Sequence, residues 1–353
     1  MTEILVKTSL VAQLESEASG YRGVLAATGF TSAENAFAAL RSGAVVMDRG
    51  WRTRYRVTGG DAQRWLNGMV TNTAELAPGQ GNYSFLLSPQ GRLQADCYTF
   101  RDGDGYVLET DACQGEKLAA WLDRYIIMDD VVLEPVSTQS GTLAIAGVNA
   151  ADLLSKAGVV TPELRLQIAQ GAIDGVAVTV VREEASSVPM FSLWHAAAQT
   201  KQLWDALLAA GASAAGWETA ELLRIASGMP LLGVDLRERD LPQETGQARA
   251  LNFNKGCYIG QEIVERIRSR GAVHRGLSGF ILELAPGAQL PVAGSAILQD
   301  SASVGDLTSV AMLPLVEGVK AVGLGIVRLQ ALANQKPLTV DGIAVRPHHL
   351  PFL

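Results

Sequence analysis

The sequence changes its pattern near residue 275, and this change limits the folds that the chain can adopt. Before it, segments with strand-like alternation are interspersed with segments of helical spacing. After it, short apolar runs alternate with glycine and proline turns, at 279–284, 296–298, 310–313, 322–327 and 338–345. Short strands separated by such turns are typical of a small barrel. The sequence therefore predicts an α+β core over residues 1–274 and a C-terminal β-barrel domain over residues 275–353.

The order of the predicted elements repeats once within the core. Helical spacing predicts helices over 112–125, 149–156 and 201–210, between shorter apolar segments that favour strands. Strand, helix, strand, strand, helix, strand is the order of a split βαβ unit, and it occurs twice. We therefore expect two related α+β lobes, whose segments need not be continuous in sequence.

A hairpin is predicted in the first of these lobes. An apolar run over 83–87 is followed by a turn at 89–91 and by a clean alternation over 92–100. Because successive side chains of a strand point to opposite faces, Ala95 and Cys97 share one face, while Asp96 and Tyr98 share the other. Asp96 is then either a solvated strand residue or a carboxylate that faces a binding site.

A lysine and a thiol lie two residues apart in the loop at 254–260, as Lys255 and Cys257. An amphipathic helix is predicted to start at Gly260, with Glu262 and Arg266 as an i,i+4 ion pair. The helix N-terminus and the neighbouring ammonium group would both favour a reactive thiolate. The alternative is that Cys257 is a small packed residue and Lys255 a solvated charge.

Composition excludes several classes of protein. The net charge is −7, so binding to a nucleic-acid backbone is not expected. The arginine run over 266–275 could hold a polyanion or a glutamate tail, or could be a solvated helix face. Neither an uncharged apolar run of membrane-spanning length nor a signal peptide is recognisable.

The cysteine count argues for reduced thiols in the cytoplasm. The chain has three cysteines, Cys97, Cys113 and Cys257, and no Cys-x-x-Cys pair. An odd number without such a pair does not suit a disulfide framework. It also does not suit a resident zinc or iron–sulfur site, which requires about four well-placed ligands. We therefore expect no resident metal.

The loop carries a motif that resembles a known family. Lys-Gly-Cys-Tyr-x-Gly-Gln-Glu, at residues 255–262, resembles the signature of the YgfZ-type folate-binding family. These proteins are relatives of the glycine-cleavage T-protein, an aminomethyltransferase that lacks the Gly-Cys-Tyr run. Weaker similarities to the T-protein lie at 59–72, at 304–309 and at Pro351-Phe352, so the resemblance extends from about residue 44 to the end.

The resemblance implies a three-lobed ring around a folate channel. Tyr83 and Asp96 would line the channel, with the motif loop at its mouth. Cys257 and Lys255 would carry the chemistry, with the thiol as nucleophile, redox partner or transient iron ligand. The folate-binding residues implied in this way are Tyr83, Asp96, Arg224, Tyr258, Gln261 and Glu262. The cofactor would be tetrahydrofolate or a derivative. The partners would be iron–sulfur client or assembly proteins, with an indirect effect on tRNA modification.

Two departures from the T-protein bear on its activity. The stretch at 223–228 has Ala226 where T-proteins have a glutamate that can bind the pterin ring. In addition, the pair Ala95-Asp96 replaces two adjacent aspartates. Both departures disfavour aminomethyl transfer, which remains the alternative function. A third possibility is a docking scaffold that no longer binds folate.

Overall fold

The computed structural model describes residues 5–184 and 187–353, and the expected α+β core with a C-terminal barrel is confirmed. The strands are β1 (Val6–Lys7), β2 (Ala18–Tyr21), β3 (Val24–Ala27), β4 (Val45–Asp48), β5 (Arg52–Thr58), β6 (Gly81–Leu87), β7 (Leu93–Asp102), β8 (Gly105–Asp111), β9 (Val132–Pro135), β10 (Ser140–Ala146), β11 (Ile168–Ile173), β12 (Val176–Arg182), β13 (Met190–Ala196), β14 (Ser213–Ala215), β15 (Arg275–Leu282), β16 (Ala296–Gln299), β17 (Ala302–Leu315), β18 (Gly318–Arg328), β19 (Leu338–Val340) and β20 (Ile343–His348). The helices are α1 (Ser9–Leu14), α2 (Ala33–Ser42), α3 (Ala62–Met69), α4 (Ala112–Asp123), α5 (Ala150–Lys156), α6 (Thr200–Ala209), α7 (Trp217–Ala226), α8 (Gln261–Arg270) and α9 (Leu329–Ala333).

The first lobe is an antiparallel sheet in the order β6-β7-β8-β5-β9. Helices α3 and α4 pack on one face, where Trp65 and Leu118 join a buried apolar cluster. Ala95 and Cys97 belong to the same cluster. Because β7 alternates, its next residues, Asp96 and Tyr98, lie on the opposite face. That face is free to form a cavity wall.

The second lobe takes a strand from the N-terminal part of the chain. Its sheet has the order β11-β12-β13-β10-β4-β14, so β4 lies between two strands that come much later in sequence. All four residues of β4 are buried, as expected for a central strand. The sequence pattern did not predict strands β11 and β14 or the small sheet β1-β3-β2, because their sequences are short or weakly apolar.

The barrel is closed, in the order β15-β18-β17-β16-β19-β20. Its strands are longer than the sequence suggested, since β17 spans 14 residues where only 310–313 was expected. The run at 338–345 is a hairpin rather than one strand, because Asp341 and Gly342 take positive φ angles of 50° and 80°. Glycines allow the strands to approach: a Cβ at Gly325 would lie 2.7 Å from the Asp306 carbonyl oxygen.

Candidate functional site

A cavity with about 770 Å³ of atom-free space, part of it open to solvent, lies between the two lobes. Its walls come from the connection between β4 and β5, from β6 and β7, from α7 and from the segment at 229–231. Aromatic and charged side chains dominate these walls. A space of this size with a few convergent polar groups is typical of a small-molecule site.

The hairpin strands β6 and β7 place a tyrosine and a carboxyl group at this cavity. Tyr83 Oη donates a hydrogen bond to Asp96 Oδ2 over 2.5 Å. Burial raises the pKa of Asp96, against the lowering effect of the Tyr83 hydrogen bond. The pKa of Tyr83 is also raised, first by burial and then by the adjacent carboxylate. Asp96 can therefore hold a proton at a higher pH than a free aspartate.

The same strand geometry explains the missing second carboxylate. Ala95 is 1% exposed and points into the core of the first lobe, while Asp96 faces the cavity. A carboxylate at position 95 would be buried among apolar side chains, where ionisation is costly. Of the pair, Asp96 is thus the residue that can meet a ligand.

Five arginines line the cavity around this carboxyl group, and each of them is ion-paired. Arg49 contacts Glu183 at 2.7 Å, and Arg52 contacts Asp111 at 2.5 Å. The guanidinium of Arg249 lies 4.1 Å from the centroid of the Tyr83 ring. Carboxylates outside the lining, such as Glu184 and Asp235, pair with Arg249 and Arg224 and balance part of the positive charge of the walls.

Arg224 lines the cavity, but its hydrogen bonds are structural. It contacts Glu221 at 2.5 Å and Asp235 at 2.8 Å, and it donates to the hydroxyl of Ser309 in the barrel. Asp235 in turn accepts from Thr308 and Ser309. These carboxylates raise the pKa of Arg224, against the effect of burial. Arg224 therefore joins α7 to the barrel while presenting part of its side chain to the cavity.

The structure gives Lys255 a different environment from the one expected. Its ammonium group donates to the backbone carbonyls of Asn67, Val70 and Asn72, over 2.5, 2.6 and 2.9 Å. Burial lowers the pKa of Lys255 to about 8. A lysine ammonium has three protons, and these three carbonyls account for all of them. Lys255 thus fastens the loop to the C-terminal end of α3.

The rest of the motif forms a compact turn with an exposed thiol. The side chain of Gln261 accepts a hydrogen bond from the backbone N–H of Tyr258 over 3.2 Å. Gly260 has a φ of 82°, which begins α8 in the left-handed region that favours glycine. Cys257 is exposed, and so is Glu262. The expected pair between Glu262 and Arg266 is absent among the ion pairs of residues 5–184 and 187–353, where helix α8 instead has Arg268 and Glu265 at 3.6 Å.

The cavity and the motif loop meet at strand β6 without merging. Tyr258 is 8% exposed and packs in the same apolar cluster as Tyr83, Phe85 and Leu87 of that strand. Tyr83, Asp96 and Arg224 line the cavity together, and residues 255–262 are not among its described lining residues. The predicted site residues therefore form two groups.

The sequence did not reveal the part of the wall that comes from the N-terminal segment. Tyr21, Arg22 and Trp51 line the cavity, and so does Arg249 from the later irregular segment. These residues carry no recognisable motif: Tyr21 and Arg22 lie at the end of β2 and in the turn to β3, Trp51 follows β4, and Arg249 lies in a short turn far along the chain. The described part of the chain contains no cluster of three or more histidine, cysteine or acidic side chains placed to hold a metal ion. None of its helices combines the length and the apolar character that a membrane span requires.

Comparisons with known proteins give the same architecture. The family model "GCVT N-terminal domain" matches residues 16–255, and "CAF17, C-terminal beta-barrel domain" matches residues 281–352. An aminomethyltransferase of Herpetosiphon aurantiacus is 30% identical over 67% of this chain and 66% of its own length. One of Rubrobacter xylanophilus is 29% identical over 82% of this chain and 77% of its own.

A solved structure extends this similarity to the whole fold. The glycine cleavage system aminomethyltransferase T from Bartonella henselae superposes with a TM-score of 0.87, at 20% identity, and the match covers 99% of this chain and 98% of that protein. At this identity the likeness shows the fold, and it confirms the expected T-protein-like architecture. With two thirds of its length matched by one family model, the chain belongs to the family of proteins with a GCVT N-terminal domain.

Proposed function

We propose that the protein binds a reduced folate in the cavity between the two lobes. The observation that carries this proposal is the Tyr83–Asp96 pair, which faces a cavity at the centre of a T-protein-like fold. The rings of Tyr83 and Tyr98, with centroids 5.0 Å apart, offer apolar faces for the flat parts of a folate. The arginines of the cavity wall can offer N–H donors to its glutamate carboxylates.

The residues of the cavity fit the chemistry of such a ligand. When bound, a reduced folate supplies a ring nitrogen that can hold a one-carbon unit. The Asp96 carboxyl can hold a proton or orient an amine near that position, because burial raises its pKa. Tyr83 fixes the carboxyl through its hydroxyl, and the guanidinium of Arg249 lies over the Tyr83 ring.

The proposed cellular role is support for the assembly or repair of iron–sulfur clusters, with an indirect effect on tRNA modification. The motif at residues 255–262, which resembles that of YgfZ-type proteins, supports this role. The match of the barrel to the CAF17 domain is consistent with it. Cys257 would supply the thiol that meets a client or an assembly protein, since it is exposed on a loop fixed by Lys255.

The alternative function is aminomethyl transfer in glycine cleavage, which the names of the relatives favour. The environment of Ala226 argues against it. Ala226 is fully buried in an apolar cluster that includes Ala311 and Leu313 of the barrel, and its carbonyl accepts from the backbone N–H of Phe352. The carboxylate that T-proteins present from this position is missing, so a pterin would need another anchor.

Calorimetric titration with tetrahydrofolate, 5-formyl-tetrahydrofolate and folic acid tests the proposed binding. We expect the reduced forms to bind in the micromolar range, about −8 kcal/mol. If none of the reduced forms binds at a high micromolar concentration, the proposal is contradicted. The result would then favour a docking scaffold that does not bind folate.

A turnover assay separates the two folate-dependent functions. With tetrahydrofolate and a lipoylated aminomethyl carrier, we expect no methylene-tetrahydrofolate to form. Turnover at roughly 1 s⁻¹ or more, an ordinary rate for an enzyme, would favour the aminomethyltransferase instead.

A further inference from the structure

A second cleft, with about 570 Å³ of atom-free space that is partly open to solvent, lies between the α+β core and the barrel. The core segment at 235–240 forms one wall, and residues from β17, from β18 and from the start of β15 form the other. Most of the stretch at 304–309 that resembles the T-protein lies in this second wall, and it has no role in the proposed function. The cleft contains four arginines, two on each wall: Arg237 and Arg239 on the core, and Arg275 and Arg328 on the barrel.

The barrel places two of these arginines directly beside each other. Arg275 of β15 and Arg328 of β18 are partners in the antiparallel ladder. The side chains of such partners share one face of the sheet, with Cβ atoms about 5 Å apart, and like charges in this arrangement are destabilising. The arrangement therefore requires negative charge from elsewhere in the cleft.

Ion pairs across the cleft supply part of that negative charge. Arg275 contacts Asp240 at 3.1 Å and Glu244 at 3.0 Å, and both carboxylates belong to the core. In the opposite direction, Arg237 of the core lies 3.7 Å from Asp306 of the barrel. These two arginines therefore have a structural role, since they join the core to the barrel.

The other two arginines have no such role. Arg239 and Arg328 are exposed, and neither belongs to an ion pair within residues 5–184 and 187–353. The backbone at Arg328 is nevertheless fixed, because this residue ends β18 and the next N–H, that of Leu329, donates to the His274 carbonyl over 2.9 Å. An unpaired guanidinium group on a fixed backbone at a cleft is suited to binding an anion.

The buried carboxylates of the cleft already accept from protein donors. Asp235 is 1% exposed, and one of its oxygens accepts from two hydroxyl groups of the barrel, while the other accepts from Arg224. Asp240 is 2% exposed, and each of its oxygens accepts a hydrogen bond. Only Asp306 is partly exposed, and it is paired across the cleft. The charged groups that a ligand can reach are therefore mainly guanidinium groups.

We infer that this cleft binds a small oxyanion with at least two negative charges, a phosphate or a carboxylate compound, through the guanidinium groups of Arg239 and Arg328. The planar guanidinium fork matches both kinds of oxyanion. Such a ligand would also offset the repulsion between Arg328 and Arg275. The site is distinct from the folate cavity, because Arg224 lines that cavity, Asp235 lines the cleft, and these two residues pair at 2.8 Å in the wall between them. The inference therefore does not depend on folate binding.

Calorimetric titration of the full chain with pyrophosphate and with tri-γ-L-glutamate, at physiological ionic strength and without added metal, tests the inference. The variants are Arg239→Gln and Arg328→Gln, each of which removes an exposed charge without breaking a described ion pair. Arg124→Gln is the matched control, because Arg124 is also exposed and outside the described ion pairs, but lies at the end of α4 in the first lobe. Arg328→Lys keeps the charge and removes the planar fork.

We expect the wild type to bind at least one of the two probes, and each glutamine variant to bind it roughly tenfold more weakly, the usual effect of losing a hydrogen bond between charged groups. Arg124→Gln should change the affinity less than about twofold, because salt screens a distant exposed charge. Arg328→Lys should lie between the wild type and Arg328→Gln. Binding of pyrophosphate alone would identify a phosphate compound, and binding of tri-γ-L-glutamate alone would identify a carboxylate compound. Absence of binding of both probes would overturn the inference, and so would an equal loss in Arg124→Gln.

Protection against phenylglyoxal, which modifies exposed guanidinium groups, tests the site in the wild-type protein without any substitution. Mass spectrometry of a partially modified sample should show slower modification of Arg239 and Arg328 when the probe is bound, and an unchanged rate at Arg124. Unchanged modification of both cleft arginines in a saturated sample would reject the site, even if the probe binds elsewhere. Tetrahydrofolate should bind the two glutamine variants as it binds the wild type, so failure of the anion site and failure of the proposed folate binding are distinguished.

Discussion

The cavity and the motif loop share strand β6, but they are built in opposite ways. At the cavity, side chains from distant segments converge, and ion pairs such as Arg49–Glu183 join them. At the loop, eight consecutive residues form one turn. The Lys255 ammonium group fastens it to the end of α3, together with the N–H of Ile259, which donates to the Gly68 carbonyl. The cavity encloses its polar groups, while the loop exposes Cys257. The contrast suggests that ligand binding and thiol chemistry can be separated by mutation.

The largest expected effect is the loss of the cellular function in Cys257→Ser. Serine is close to cysteine in size, but its hydroxyl is not an appreciable anion near pH 7 and is not a soft metal ligand. We expect this variant to fold, to bind folate like the wild type, and to fail to complement a cell that lacks its own copy. Cys113→Ser is the control, since Cys113 is also an exposed free thiol. Full complementation by Cys257→Ser would show that the thiol serves packing.

Alkylation should distinguish the three thiols in the wild-type protein. Burial raises the pKa of Cys97 to about 12. Cys113 is exposed on average, but partial desolvation of its thiol and the nearby Asp111 carboxylate raise its pKa to about 11, so both thiols are almost entirely protonated at pH 8. Because the thiolate is the reacting species, we expect iodoacetamide to label Cys257 at least roughly tenfold faster than either. Mass spectrometry of a partially alkylated sample gives the order. Labelling of Cys113 before Cys257 would contradict the prediction.

At the cavity, Asp96→Asn should weaken reduced-folate binding by about 10- to 100-fold, the range for hydrogen bonds that involve a charged group. The same change should stabilise the free protein at pH 7, because asparagine stays neutral at a buried position where the carboxyl group is costly to ionise. Burial raises the pKa of Asp96, so the folded state favours the protonated carboxyl group. The stability gained in this way is complete below the pKa that Asp96 has in the unfolded chain. It is lost as the pH rises through the pKa of Asp96 in the folded protein. Asparagine stays neutral and keeps that stability.

Urea unfolding at pH 4 and pH 7 measures this prediction, and Asp102→Asn is its control. Asp102 lies on the same strand, at the surface, where it pairs with Arg56 at 3.2 Å. The stability difference between Asp96→Asn and the wild type should shrink towards pH 4, while Asp102→Asn should show no gain at pH 7. A destabilised Asp96→Asn at pH 7 would mean that the carboxylate is the favoured form in the fold.

At the loop, Lys255→Met should lower the free energy of unfolding by about 2 kcal/mol, since the substitution leaves partly buried carbonyls without their donor. Lys117→Met is the control, because Lys117 forms only an exposed ion pair with Glu238, worth about 0–1 kcal/mol. Folate affinity should change little in either variant. A large loss of folate affinity in Lys255→Met with unchanged stability would mean that the loop and the cavity work as one site.

The same contrast explains what could be predicted from the sequence. The loop motif is contiguous, so Cys257 and the start of α8 were predicted from local residues, and the alternation of β7 placed Asp96 opposite Ala95. The cavity residues Trp51 and Arg22 could not be found in this way. Trp51 follows β4, which pairs with the distant strands β10 and β14, and Arg22 lies in the turn between β2 and β3, so no local pattern encodes their meeting. The acceptors of Lys255 are backbone carbonyls, which any sequence could supply.

The smallest expected effect is that of Glu262→Gln, and it tests why the motif contains this residue. Glu262 is exposed in the first turn of α8, so its main structural contribution is its charge near the helix N-terminus, about 0.3–1 kcal/mol. We expect a decrease in the free energy of unfolding within that range, and unchanged folate affinity. Glu265→Gln is the control on the next turn, where the carboxylate instead pairs with Arg268. If Glu262→Gln alone abolishes complementation at nearly full stability, the carboxylate meets a partner protein beside Cys257. If both variants complement fully, the glutamate of the motif serves the helix alone.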